Sequence, residues 1–225
     1  MQADFNRPVL AVDTGTSRLS LALRADGETR LFHQEVGSRQ SELILPEIRT
    51  LFRDAGITAA DLGAVVYAQG PGAFTGLRIG IGVAQGLATP FDTPLIGVPS
   101  LDAAASLPPP QSCILAATDA RMGEVFYAWF DTLNCRRLSD YQVGRAADIR
   151  LPEGYAFSDG IGSAFALEEA PPFSGRPDMP TAADFLALAA KGGYPAVHAA
   201  DAGLLYVRNK IALTAKEQAE RRARP

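Results

Sequence analysis

The chain is poor in the residues that hold metals and form covalent intermediates: two histidines and two cysteines in 225 residues. His33 and His198 have no His or Cys neighbour at ligand spacing, which argues against zinc or iron chemistry. Cys113 and Cys135 are too few for a disulfide scaffold and lack the C-x-x-C spacing of a zinc knuckle, so a reducing compartment fits. There is no G-x-S-x-G elbow, and Cys113 lies in an apolar run of the kind that buries structural thiols. No stretch approaches the ~20 consecutive apolar residues of a membrane span. The expectation is a cytoplasmic protein with no membrane segment. Positive charge is short too. The 21 Lys and Arg stand against 25 Asp and Glu, a net charge of −4, so the chain has no electrostatic footprint for gripping nucleic acid unaided. The basic cluster Arg221, Arg222 and Arg224 shares its run with Lys216, Glu217 and Glu220 and reads as a solvated terminal helix.

Apolar residues make up 47% of the chain, enough for a real core. Val9 to Val12 ends at Asp13, turn residues follow from Thr14 to Arg18, and Leu19 to Leu23 starts a second apolar run, which is a hairpin signal. A third strand is expected near Thr29 to Val36. Ile44, Leu45, Ile48, Leu51, Phe52 and Ala55 then recur at helical spacing, with Gly56 as the stop and Pro46 as a kink near the start. Ala64 to Ala68 reads as a buried strand, and Leu77 to Ala88 as a helix capped by Thr75. Leu95 to Val98 reads as another strand, followed by a helix capped by Ser100. Pro108-Pro109-Pro110 is the strongest break in the chain. Beyond it, Ile114 to Ala117 runs to Asp119, turns through Arg121, Met122 and Gly123, and returns as Val125 to Phe130. Strand, Asp, turn and strand therefore occur twice, which implies a duplicated α/β unit divided into lobes of about 1–104 and 105–225. Ala182 to Ala190 reads as a small-residue helix and Leu204 to Ile211 as a strand.

Two glycine-bearing turns invite a phosphate reading. Asp13, Thr14, Gly15 and Thr16 end a strand, where freed amides and hydroxyls could cradle a phosphate; the plainer reading is a hairpin turn whose hydroxyls bond their own backbone. The loop from Gly70 to Gly76 joins a strand to a helix but is followed by Leu77 and Arg78, without the lysine and hydroxyl residue of a P-loop. The helix after it carries Gly80, Gly82 and Gly86, each costing ~1 kcal/mol relative to alanine. Gly76, Gly80, Ala84 and Ala88 line up at i, i+4 as a groove of small residues, beside a ridge of Ile79, Val83 and Leu87. Either a partner helix or the chain's own sheet fills that groove. The expectation is a partner, so that Gly80→Leu abolishes association and spares the fold; the chain's own sheet would predict a loss of stability instead.

The segments VDTGTS at 12–17, GPGAFTGLRIGIGVAQGLA at 70–88, DARMGEVF at 119–126 and YVRNKIA at 206–212 resemble, in order, the TsaB (YeaZ) family. That resemblance implies a two-lobed, duplicated actin-like ATPase (ASKHA; actin, sugar kinase, Hsp70) fold, related to the catalytic subunit TsaD but without its metal-binding histidines. It implies a non-catalytic subunit of the machinery that attaches threonylcarbamoyl to the adenosine beside the tRNA anticodon, pairing with TsaD and TsaE homologues. Transfer RNA would be met only through that complex, and a homodimer through the same first-lobe helices is a further implied state. The implied partner interface comprises Ile44, Ile48, Leu51 and Phe52 of the first helix, and Gly72, Phe74, Thr75, Gly76, Arg78, Ile79, Gly80, Val83, Ala84 and Leu87 around the second. The turn at Asp13 to Thr16 would be a relic phosphate site; no cofactor is required, and weak ATP or ADP binding is compatible. Relatives often carry histidine where this chain has Ser41, so any role of that imidazole is absent. The competing readings are a nucleotide-dependent phosphotransferase of the same fold and a glycoprotease-like peptidase.

Overall fold

A computed structural model describes residues 1–208. Two mixed sheets carry the architecture. The first is built from β1 (Val9–Asp13), β2 (Arg18–Ala25), β3 (Glu28–Glu35), β4 (Ala64–Gly70) and β5 (Leu95–Pro99), with α1 (Gln40–Ala55) and α2 (Phe74–Ala88) as crossovers. Next come α3 (Ser100–Ala105) and the second sheet: β6 (Ile114–Arg121), β7 (Glu124–Asp131), β8 (Arg136–Arg137), β9 (Gln142–Gly144) and β10 (Asp159–Ile161). Last are α4 (Ala182–Ala190) and β11 (Ala196–Val197).

In the first sheet the order is β11-β5-β4-β1-β2-β3, with β1, β4 and β5 parallel and β1-β2-β3 antiparallel. Every residue of β1 is buried because both faces of the sheet are covered. Leu10 and Val12 join Ile44, Ile48, Ala84 and Ala88 of α1 and α2 on one face. Val9 and Ala11 join Phe185, Leu186 and Ala189 of α4 on the other. This period of two, apolar on both sides, is what a strand sandwiched between helices requires.

The second sheet runs β10-β6-β7-β8, with β9 also pairing β7. Its β6-β7 hairpin turns through Arg121, Met122 and Gly123 with φ of 63°, 60° and 75°. Trp129 packs edge-on against Phe157 and Phe173 on one face, at 6.3 and 5.2 Å. On the other face lies α3, whose small residues let it sit between the sheets: Ala103 belongs to the first core, and Leu101, Ala104 and Ala105 to the second.

Three expectations change. α2 begins at Phe74 with Ala73 before it and no side-chain cap, so Thr75 is not the cap. The loop is anchored earlier, where the Ala73 N–H donates to the Gly15 carbonyl at 2.8 Å. Ser100 is likewise inside α3, because Pro99 is still paired with Gly70 in the sheet and takes the preceding position. Residues 204–208 form no strand; Leu205 instead donates its N–H to the Gln69 carbonyl at 2.8 Å. The rest of that expected strand, at 209–211, and the basic terminal helix lie outside the described residues. After the second sheet the chain also returns to the first: α4 covers it and β11 pairs antiparallel with β5, so both elements cut across the division at 104/105.

Candidate functional site

The turn after β1 and the two crossover helices form one assembly. Asp13 Oδ1 accepts the Gly15 N–H at 2.8 Å, the Thr14 hydroxyl donates to the Gly76 carbonyl at 2.8 Å, and Thr16 Oγ1 accepts the Arg18 N–H at 3.1 Å. From α1, the buried Gln40 amide reaches under the turn, donating to the carbonyls of Thr16 at 2.6 Å and Arg18 at 3.1 Å, with Thr14 at 3.4 Å. Sequence reading passed over Gln40; a polar side chain at the first residue of a helix gives no local sign that it will face backbone carbonyls.

Glycines let α2 lie directly on this turn. A Cβ at Gly76 would collide with the Thr14 carbonyl oxygen, one at Gly80 with Thr14 Oγ1, and one at Gly72 would come 2.7 Å from the Gly15 carbonyl. The amide of Gly15 and hydroxyl of Thr14 are thus engaged inside the chain, and backbone from the 70–76 loop closes over Gly15. The turn works as a socket for α2.

Asp13 lies under that socket, and burial pushes its carboxyl up to about 6, partly offset by the Gly15 N–H. Folding therefore favours the protonated form. Its contribution is fully present below the unfolded value near 3.8 and is lost as pH rises through about 6, a change of ~3 kcal/mol. Asp13→Asn keeps an acceptor for Gly15 and removes the titration. Melting temperature measured from pH 4 to 7 should therefore show a flatter profile in the variant; identical slopes would refute the assignment.

The residues expected at a partner surface fall into two sets. Ile44, Ile48, Leu51 and Phe52 are buried in the first core, as are Gly76, Gly80 and Ala84. Those seven are corrected from partner contacts to internal packing: Gly76 and Gly80 lie against Thr14, with Val12 behind Gly80, and the other five belong to the core that α1 and α2 form with the sheet. Phe74, Thr75 and Arg78 are exposed, and Gly72, Ile79, Val83 and Leu87 are half-buried. The Arg78 guanidinium lies over the Phe74 ring at 3.8 Å, and Phe74 meets Tyr206 at 6.0 Å between centroids. Three further positions on these helices stand open. Leu45 is 49% exposed on α1, and nothing lies within 4 Å of where a Cβ at Gly82 or Gly86 would stand. Their signal was present in the sequence: Leu45 sits one residue off the core stripe, and Gly82 and Gly86 are a second i, i+4 pair.

Among the described residues no group of three His, Cys, Asp or Glu is placed to hold a metal ion, and no helix is long and apolar enough to cross a membrane.

A family model described as "TsaD: tRNA N6-adenosine threonylcarbamoyltransferase" matches residues 33–156. The chain is 41% identical over 123 residues to the tRNA threonylcarbamoyladenosine biosynthesis protein TsaB of Escherichia coli (strain K12), covering 53% of each protein. It is 33% identical over 128 residues to the protein of the same name in Bacillus subtilis (strain 168), covering 56% of each. The chain thus spans about half the length of the curated relatives it matches. The solved structure of YeaZ from Pseudomonas aeruginosa superposes with a TM-score of 0.77 at 30% identity, covering 88% of this chain and 99% of that one.

Proposed function

We propose a function for this chain from the TsaB (YeaZ) family, to which it belongs: it is a non-catalytic subunit required for threonylcarbamoyladenosine modification of transfer RNA. Its fold is the two-lobed actin-like fold of that family. In this reading it scaffolds and activates a TsaD homologue, with a TsaE homologue joining them, and requires no cofactor of its own. Transfer RNA is met through the complex.

One observation carries the partner role. Gly76 and Gly80 are explained by the socket at Thr14, whereas Gly82 and Gly86 face open space and still cost α2 ~1 kcal/mol each. A second backbone packing closely along that face offsets the cost, and the exposed Phe74 and Arg78 continue it along α2 with apolar and cationic groups.

The test is co-purification with the TsaD and TsaE homologues of the same organism, followed by transfer assays on unmodified transfer RNA. Modification is expected only when this chain is present. Alone, the chain should neither turn over ATP nor bind transfer RNA below micromolar concentration at ~150 mM salt, as its net charge of −4 implies. Micromolar ATP binding with phosphate transfer by the isolated chain would favour the phosphotransferase reading instead.

A further inference from the structure

Both lobes and the returning C-terminal segment meet at Asp102 of α3. Its Oδ1 accepts the Tyr141 hydroxyl at 2.6 Å, and its Oδ2 accepts the Tyr194 hydroxyl at 3.0 Å. Tyr141 belongs to the second lobe and Tyr194 to the stretch between α4 and β11. Tyr67 of β4 supplies a third phenol, whose hydroxyl donates to the Gly203 carbonyl at 3.0 Å. These four side chains, with Arg137 and Asp201, line a cavity of about 410 Å³. It opens where β4 and β5 end, the edge at which α/β sheets usually hold small molecules, and it falls within the ordinary size range of ligand sites.

The chemistry of the lining is one-sided. All three phenol protons are committed to Asp102 or Gly203, so the oxygens can only accept from a ligand. Asp102 has lone pairs beyond the two already used, and no cation ion-pairs with it among the described residues. Two carboxylates face one guanidinium. That guanidinium is already engaged: Arg137 lies 4.0 Å from the Tyr141 ring centroid and donates Nε–H to the Ser139 carbonyl at 2.8 Å. Burial pushes the Asp102 carboxyl up, and the two tyrosine hydrogen bonds and the nearby Arg137 charge pull it back.

We propose that this cavity binds a compact organic cation, the primary ammonium group of a small amine, on the Asp102 carboxylate beside the rings of Tyr67 and Tyr194, the Tyr141 ring being taken by Arg137. An ammonium brings three donors and no acceptor, which matches a wall of phenol oxygens and carboxylate, and aromatic faces attract such a charge. The exposed Asp201 adds attraction at the opening. The inference is independent of the tRNA-modification role.

The test is calorimetric titration of the full chain with 1,4-diaminobutane, using 1-butanol as a neutral control. Saturable binding of the amine alone is expected. Asp102→Asn should weaken it at least about tenfold, the usual scale for losing a hydrogen bond to a charged group. Because Asp102 also joins the lobes, melting is measured in parallel. Should Asp102→Asn fail to fold, Tyr194→Phe and the exposed Asp201→Asn provide the answer, each with an expected loss of about threefold or more. No saturable binding by the native chain overturns the proposal, as does unchanged affinity in the folded variants.

Discussion

Gly80→Leu is expected to destabilise the chain by ~3 kcal/mol or more, a fall of about 10 °C in melting temperature. The Cβ alone would overlap Thr14 Oγ1, with Val12 Cγ1 at 3.7 Å behind it. Overpacking a closed site costs roughly 1 to 3 kcal/mol, and displacing Thr14 also breaks its hydrogen bond to the Gly76 carbonyl, worth ~1 kcal/mol. Pairing with any partner should then be lost only in proportion to unfolding. The small-residue groove could have faced another protein, and the variant separates the two cases: a melting temperature unchanged from native would mean that α2 does not rest on the turn after β1.

The complementary change, Gly82→Leu on the opposite side of the same helix, is expected to leave the chain folded and weaken partner binding. Nothing lies within 4 Å of its Cβ position, so there is no internal clash. Leucine is the better helix former by somewhat under ~1 kcal/mol, so melting should hold or rise slightly. Against a partner backbone in close approach, the new isobutyl group should cost ~1 to 3 kcal/mol, about ten- to a hundredfold in affinity for the TsaD homologue or for a second copy of the chain. Melting and binding are measured on one preparation. A well-folded Gly82→Leu protein with native affinity would remove this face of α2 from the interface.

The two glycine variants differ by two positions in one helix and have opposite expected outcomes, and the sequence could not tell them apart. α2 is apolar or small on nearly every side, so its periodicity names a helix without naming the side that faces the sheet. What decides is the turn at Asp13 to Thr16. Gln40 holds its carbonyls from α1, and Thr14 then presents both a carbonyl and a hydroxyl where Gly76 and Gly80 must fit. None of these contacts is local: Thr14 and Gly76 are 62 positions apart, and Gln40 reaches back 24 to Thr16.

The elements that depend on neighbours along the chain were legible. The β1-β2 and β6-β7 hairpins follow from apolar runs broken by turn residues, and Gly56, in the left-handed conformation at φ 67°, ends α1 as its position implied. The exclusion of a P-loop needed only Leu77 and Arg78 after the last glycine. Helix starts were misplaced at Thr75 and Ser100 because strand pairing and the Ala73 contact, both tertiary, set where each helix could begin. Leu204 to Arg208 looked like a strand by composition, yet it serves as a strap: Leu205 binds Gln69, and Arg208 reaches Glu124 of the second hairpin. Sequence by itself determined β1 to β7 and the four helices, since those periods are written over a few residues. Only the tertiary structure decided which side of α2 is interior, what Asp102 joins and where α4 and β11 return, because each depends on groups that meet only once the sheets are assembled.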